Sequence, residues 1–240
     1  MVSSTSAKPQ NQPKHLLGFS LGMSNYNNKD LLASPLTYKG DGLLLEVAYE
    51  YQSMKTIQKI QIEFSKTRLT SSVTNLFGDH HIEDIRGRLA YVYYRHVSNT
   101  TKNKIVLFLG GQWNTYISKR DLFYSKGTSD LSGELLSSID AAFLLNFNIN
   151  GKNYLYYQIA WPIFAVALRP PYASGGSANS VNILTFAKFT RIENAIIYEH
   201  ALSRIFAVRL KYEFAYYQLS KPRKTQTGLN NFLIQLLYKL

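Results

Sequence analysis

Two short segments of this sequence combine side chains that could carry out chemistry. The segment 96–99, HVSN, places an imidazole base two residues before a hydroxyl nucleophile, which is the pairing that serine hydrolases use. The segment 78–84, GDHHIED, gathers carboxylates and imidazoles that could activate water or bind zinc or a harder cation. The candidate catalytic residues are His96, Ser98, Asp79, His80, His81 and Asp84. For the second segment, the alternative is an ordinary solvated polar loop.

Other kinds of site are missing from the sequence. It contains no glycine-rich phosphate loop and no dinucleotide fingerprint. It also has no cysteine, which excludes disulfides, thiolate metal sites and a lipidated N-terminal cysteine. We therefore predict no cofactor and no resident metal.

The elements that must position these residues are strands. Apolar and polar residues alternate with a period of two along most of the chain, as in half-buried strands. Ten segments of about ten to fourteen residues follow this pattern, longer than the strands of ordinary sheets. They lie at 14–24, 41–52, 56–67, 85–97, 104–116, 136–149, 153–165, 188–199, 204–217 and 229–240. Strands of this length can cross a bilayer.

The connections between the predicted strands alternate in length. Those at 25–40, 68–84, 117–135 and 166–187 are long, those at 53–55, 98–103, 150–152 and 200–203 are short, and the last, at 218–228, is of medium length. Membrane barrels have tight turns on one side and long loops on the other, whereas a soluble meander has no reason to sort its loops by side. The alternation therefore favours a transmembrane barrel.

The last strand carries a further signal. After Gly228, the residues on one face are Phe232, Ile234, Leu236, Tyr238 and Leu240, so the chain stays apolar to its final residue. This pattern resembles the C-terminal membrane-insertion signal of Gram-negative outer-membrane β-barrel proteins, with leucine where that superfamily usually has phenylalanine. We predict an all-β, antiparallel up-and-down transmembrane barrel of ten strands, within a range of eight to twelve. The barrel domain is expected at 14–240, after a disordered segment or signal-peptide remnant at 1–13.

Two barrel-enzyme families bear on the candidate residues. The HVSN segment resembles the His-x-Ser-Asn motif of outer-membrane lipid A deacylases, but it falls in a connection on the periplasmic side. The pairing of Asp and His in 78–84 is similar to that of the omptin proteases, which activate water at the rim of a ten-stranded barrel. A second acidic pair is not evident, since the other external connections offer only Asp121 and Asp130.

The strand faces opposite the apolar ones carry charges of both signs. In a narrow barrel they must pair inside the lumen, because buried ions need partners. The predicted lumen charge network comprises Glu46, Glu50, Glu63, Arg86, Arg88, Asp140, Arg191, Glu193, Glu199, Arg209, Lys211 and Glu213. It acts either as a structural plug or as a gated pore whose ion pairs exchange partners. Pro162 lacks a ladder N–H, so we expect a bulge there.

The net charge of +12 requires anionic surroundings, and we predict lipopolysaccharide and outer-membrane lipid rather than nucleic acid. Other expected partners are the barrel-assembly machinery and other outer-membrane proteins. The functional prediction is a non-enzymatic, porin-like narrow pore or an accessory subunit of the Gram-negative cell envelope, in the bacterial outer membrane. The alternatives are a barrel hydrolase and a soluble, lipocalin-like binding module.

Overall fold

The computed structural model describes residues 13–30, 36–71, 81–97, 104–123, 129–169, 180–185, 189–220 and 224–240. These residues form eleven strands: β1 Lys14–Asp30, β2 Thr37–Gln52, β3 Thr56–Ser71, β4 His81–His96, β5 Ile105–Phe123, β6 Ser129–Asn148, β7 Asn153–Arg169, β8 Ser180–Thr185, β9 Phe189–Ala201, β10 Phe206–Leu219 and β11 Thr225–Lys239. Within these ranges, no helix is long and apolar enough to span a membrane. The predicted leader at 1–13 lies outside the described residues, except for its last residue.

The strands close into an antiparallel barrel. Consecutive strands pair from β1 to β7, and β11 pairs with both β10 and β1, so the first and last strands seal the wall. The short β8 pairs with Phe164–Arg169 of β7, whereas β9 pairs with the other half of β7 and with β10. The result is a ten-stranded closed barrel with one extra short strand, which confirms the predicted fold.

The predicted strands end too early at one end of the barrel. β4 begins at His81 rather than at 85, β5 continues to Phe123, and β6 begins at Ser129, within a predicted loop at 117–135. The difference has a physical reason: beyond the apolar belt both faces of a strand carry polar residues, so the alternation that identifies a strand disappears. Much of the predicted long-loop sequence is therefore strand.

The barrel has the reverse of the usual soluble arrangement. Large apolar side chains are exposed around its outer wall, whereas charged and amide side chains are buried inside. The outward apolar residues include Phe19, Leu21, Met23, Leu43, Leu45, Val47, Ile60, Ile62, Phe64, Trp113, Ile139, Phe143, Trp161, Leu210, Phe232 and Ile234. An apolar surface of this extent is stable only against lipid or another apolar partner.

The two ends of the barrel differ. At one end, which we call the short-turn end, β2–β3, β6–β7 and β9–β10 are joined by three or four residues, and β1 begins where β11 ends. Gly151 adopts a φ of 75° in the β6–β7 turn, a left-handed conformation that glycine tolerates best. We call the opposite end the loop end. In outer-membrane barrels the short-turn end is periplasmic.

Pro162 interrupts the β6–β7 ladder. Asp140 pairs with Pro162 while the preceding Ile139 pairs with Phe164, so β7 contains one extra residue at this point. Proline cannot donate a ladder hydrogen bond, and a bulge removes the need for one. The predicted bulge is confirmed.

Candidate functional site: a lumen closed by paired charges

The lumen near the short-turn end is closed by an apolar cluster and an ion-pair triad. The cluster contains Ile57, Val92, Tyr94, Phe108, Ala142, Leu144, Tyr156, Ala195 and Ile197. Beside it, the Arg209 guanidinium lies 2.7 Å from a Glu50 oxygen and 2.8 Å from a Glu199 oxygen. All three of these charged residues are buried, so one guanidinium forms ion pairs with two carboxylates that have little contact with water.

A second group surrounds Lys211. Its Nζ atom lies 2.6 Å from carboxylate oxygens of both Glu46 and Glu213. Glu46 also accepts hydrogen bonds from Gln61 at 2.7 Å and Gln235 at 2.8 Å. These contacts join β2, β3, β10 and β11, which lie on either side of β1 in one half of the wall, so the group holds that half together.

Arg88 connects this group to the other half of the barrel. Its guanidinium lies 3.1 Å from Glu63 on β3 and 3.2 Å from Glu193 on β9. Arg191 also pairs with Glu193, lies 3.7 Å from Asp140, and donates a 2.9 Å hydrogen bond to Ser138. The chain of ion pairs therefore spans the lumen from wall to wall.

A third group lies nearer the loop end. Asp84 is fully buried between Arg86 at 2.9 Å and Arg120 at 3.9 Å. Arg120 also lies 3.6 Å from Glu134, and the Arg86 guanidinium lies 3.5 Å from the centre of the Tyr26 ring. Two apolar clusters flank this group, one around Tyr26 and Leu69 and the other around Leu136 and Phe189.

Each of the twelve residues of the predicted network lies in at least one of these ion pairs. Sequence reasoning missed the partners nearer the loop end: Arg120 and Glu134, and the inward orientation of Asp84. The signal was present, because Asp84 shares the parity of Arg86 and Arg88 on one strand. Tyr116, whose hydroxyl bonds both Arg191 and Glu193, was also missed, since tyrosine is common on either face.

The space left inside the lumen is small. A cavity of about 80 Å³ lies at mid-height, bordered by Lys59, Glu63, Arg88, Tyr94 and Glu213. That volume holds a few water molecules. The buried Tyr94 hydroxyl has no hydrogen-bond partner within the described part of the chain. A water molecule in this cavity would supply that partner.

Three of the buried carboxylates approach one another closely. Oxygens of Glu46, Glu63 and Glu213 lie within 4.8 Å of one another, a set that could hold a hard cation. The Lys211 ammonium contacts two of these residues, so the positive charge that the carboxylates require is supplied by the chain itself.

Among the candidate catalytic residues, the described His81, Asp84 and His96 do not form a site together. His81 is stacked on Phe123 with the ring centres 4.8 Å apart and lies 3.3 Å from an Arg68 nitrogen, whereas Asp84 is buried in the lumen. His96 lies at the short-turn end, where its ring centre is 5.4 Å from that of Phe108. Ser98, Asp79 and His80 lie outside the described residues, as does the side chain of Asp130.

The C-terminal strand lies in the wall as the alternation indicates. Its outward residues are Phe232, Ile234, Leu236 and Tyr238, exposed by 41–62%, and Leu240 follows the strand. Its inward residues include Leu233, Gln235 and Leu237, which are buried. The strand therefore presents an apolar outer face while its backbone completes the barrel between β10 and β1.

Comparison with solved structures supports the same architecture. The outer membrane protease OmpT from Escherichia coli has a TM-score of 0.64 with this chain at 8% identity, and the alignment covers 99% of this chain and 100% of OmpT. The fold is that of a Gram-negative outer-membrane β-barrel. The translocator domain of the autotransporter NalP from Neisseria meningitidis has a TM-score of 0.46 at 9% identity, covering 96% of this chain and 90% of that domain. No protein-family model and no curated protein matches the sequence.

Proposed function

We propose that this chain is a non-enzymatic outer-membrane barrel with a closed lumen, acting as a structural or accessory subunit of the cell envelope. The observation that carries the proposal is the ion-pair network from Glu50–Arg209, through Lys211 and Arg88, to Arg191–Asp140. A water-filled channel would have to break several of these contacts.

The energetics favour a permanent plug over a frequently opening gate. Removing one partner from a buried ion pair leaves an uncompensated charge, at a cost of about 3–5 kcal/mol. Arg209 pairs with two buried carboxylates, and Arg88 links residues of two different strands. An opening motion would have to disrupt several such contacts together, so the closed lumen is the stable state.

The non-enzymatic part of the proposal rests on where the imidazoles lie. In the described ranges, His15, His96 and His200 are at the short-turn end and His81 is at the start of β4, stacked against Phe123. The buried carboxylates of the lumen instead contact arginine and lysine. Carboxylates paired in this way are structural counter-ions, whereas a rim hydrolase needs a base beside a free nucleophile or water.

The proposed partners follow from the outer surface. The apolar belt would be covered by outer-membrane lipid. At its loop-end edge, the exposed Lys39, which lies in no ion pair among the described residues, is suited to the phosphates of lipopolysaccharide. The C-terminal strand, with its apolar outer face, is the segment that we expect the barrel-assembly machinery to bind during insertion.

Conductance in planar bilayers tests the proposal. The full chain is refolded into detergent and its folding checked by the heat-dependent shift on a gel, and it is then inserted into the bilayer. We expect insertion without steady ohmic steps at moderate voltage. The double variant Arg88→Ala with Arg191→Ala, which removes the central link, should produce measurable conductance. Regular conductance steps from the unmodified chain would overturn the closed-lumen proposal, and hydrolysis of lipid A or a peptide by the folded protein would overturn its non-enzymatic part.

A further inference from the structure

The short-turn end carries a ring of cations, all of them exposed except the half-buried Lys239. We call it the basic ring; its described members are Lys14, Lys55, Arg95, Lys104, Lys152, Arg204 and Lys239. Each connection at this end contributes at least one cation: β2–β3, β4–β5, β6–β7 and β9–β10, together with the meeting point of β11 and β1. The positive charge therefore surrounds the whole circumference.

Among the described residues, these cations have no acidic partner. In the described segments of the short-turn end, Glu50 and Glu199 are the acidic side chains, and both are buried against Arg209. Across the described residues, none of the seven cations lies in an ion pair. At the loop end, by contrast, Lys66 pairs with Glu83 at 3.1 Å and Lys119 pairs with Asp121 at 3.5 Å.

Exposed apolar side chains accompany the ring. Met54 precedes Lys55, Ile105 follows Lys104, Ile149 lies in the turn of Lys152, and Leu202 and Ile205 flank Arg204. Their exposed fractions are 64, 48, 51, 59 and 49%. The chain ends in the same way, with Leu240 exposed by 68% after Lys239. Alternation of single apolar and cationic side chains is typical of segments that lie in the interfacial region of a bilayer.

We propose that the basic ring binds the phosphate groups of anionic phospholipids in the leaflet at the short-turn end. Lysine and arginine stems extend along apolar surface while their charged heads reach the phosphates, and the neighbouring apolar side chains enter the acyl boundary. A docking protein would contact one side of the barrel end, whereas the cations and apolar residues here surround it. A lipid leaflet meets the barrel on all sides, so it fits the distribution better.

This inference rests on the proposed membrane insertion but is independent of whether the lumen is closed. If the chain failed to insert into vesicles, the proposed function and the basic-ring inference would both fail. If it inserted and showed no preference for anionic lipid, the basic-ring inference alone would fail. Because conductance tests the lumen separately, the two proposals can be distinguished in the same preparation.

The test measures the lipids that contact the inserted protein. The full chain is reconstituted into phosphatidylcholine vesicles, and the association of spin-labelled phosphatidylglycerol is compared with that of spin-labelled phosphatidylcholine. We expect a preference for phosphatidylglycerol on the order of threefold at low salt, weakening in 1 M salt, where the screening length is about 3 Å. The triple variant Lys55→Gln, Lys152→Gln, Arg204→Gln should reduce the preference towards one.

A matched variant provides the control. Lys39→Gln, Lys66→Gln, Lys119→Gln removes the same charge from exposed positions at the loop end and should retain most of the preference. Both variants change exposed side chains, and the heat-dependent gel shift reports whether each has folded. Equal selectivity in the ring variant and the unmodified chain would overturn the inference, as would a loss confined to the loop-end variant. So would binding of soluble polyaspartate by the unmodified chain without lipid selectivity, since that would indicate an acidic protein partner.

Discussion

The lumen and the basic ring use the same cationic residue types in opposite ways. In the lumen, Arg88, Arg209 and Lys211 each contact two carboxylates. In the basic ring, Lys55 and Lys152 are exposed and have no carboxylate partner within the described residues. A charge removed from water must be neutralised by its own chain, whereas a charge at the membrane surface can stay hydrated until an external anion arrives. The lumen charges therefore stabilise the fold, and the ring charges remain available for binding.

Removing Arg209 from the lumen should lower stability far more than removing an arginine from the basic ring, and this is the largest effect that we expect. In Arg209→Ala, Glu50 and Glu199 lose their cation while still buried, so we expect the free energy of unfolding to fall by about 3–5 kcal/mol. Urea unfolding in lipid vesicles measures the change. Arg204→Ala, only a few residues away in the exposed β9–β10 turn, is the control and should change stability by less than about 0.5 kcal/mol. Equal losses in the two variants would contradict the distinction between lumen and ring.

Replacing the central lysine should create a dependence on divalent cations. In Lys211→Met, Glu46 and Glu213 lose their contacting cation, and we expect a destabilisation of about 3 kcal/mol. Millimolar Ca²⁺ should restore part of this loss, because the three carboxylates lie within 4.8 Å of one another and oxygen ligands suit calcium. Urea unfolding with Ca²⁺ or with chelator tests both effects. A variant insensitive to Ca²⁺, or an unmodified chain that responds equally, would contradict this account of Lys211.

A conservative change at the bridging arginine should have an intermediate effect. Arg88→Lys keeps the charge, but a single ammonium cannot reproduce the guanidinium contacts with Glu63, Glu193 and the Asn114 carbonyl. We expect a loss of about 1–2 kcal/mol in the same unfolding assay. The control is Arg95→Lys, an exposed arginine on the same strand, for which no measurable change is expected. If Arg88→Lys left the free energy of unfolding unchanged, the positive charge alone, without the geometry of the guanidinium, would maintain the network.

The smallest expected effect concerns the ring itself. The triple variant Lys55→Gln, Lys152→Gln, Arg204→Gln should unfold within about 0.5 kcal/mol of the unmodified chain in neutral phosphatidylcholine vesicles, since exposed charges contribute little to stability. In vesicles that contain phosphatidylglycerol, its stability should fall below that of the unmodified chain. A clear loss in the neutral vesicles would show that these cations have a structural role, and the comparison with the lumen would then fail.

Much of the fold could be predicted because alternation is a local property. Phe232, Ile234 and Leu236 lie on one face of β11 and Leu233 and Leu237 on the other, as their spacing alone indicates. The strand ends could not be predicted in the same way. Residues 117–123 lack a clear apolar face, yet they form the end of β5, because pairing with β4 supplies the backbone hydrogen bonds.

In the candidate sites, too, the local pattern predicted which residues share a face but not which residues pair. Alternate residues of a strand share a face, which placed Arg86 and Arg88 together on β4. Two residues earlier in the same alternation stands Asp84, which belongs to that face as well. The pairing of Arg88 with Glu193 could not be predicted, since the two residues are separated by 105 positions and meet only when the barrel closes. The catalytic hypothesis for His81 and Asp84 treated the segment as a loop. In the strand that actually forms, residues three apart face opposite sides.

The sequence by itself determined the strands, their apolar face, the opposite polar face and the positive charge of the short turns, because each is set by residues close together along the chain. Only the tertiary structure decided which face encloses the lumen, which carboxylate neutralises which arginine, and that the cations of separate turns lie around one end. Those features depend on closure between β1 and β11 and on the register of each strand pair. No local pattern contains that information, because closure joins residues from opposite ends of the chain.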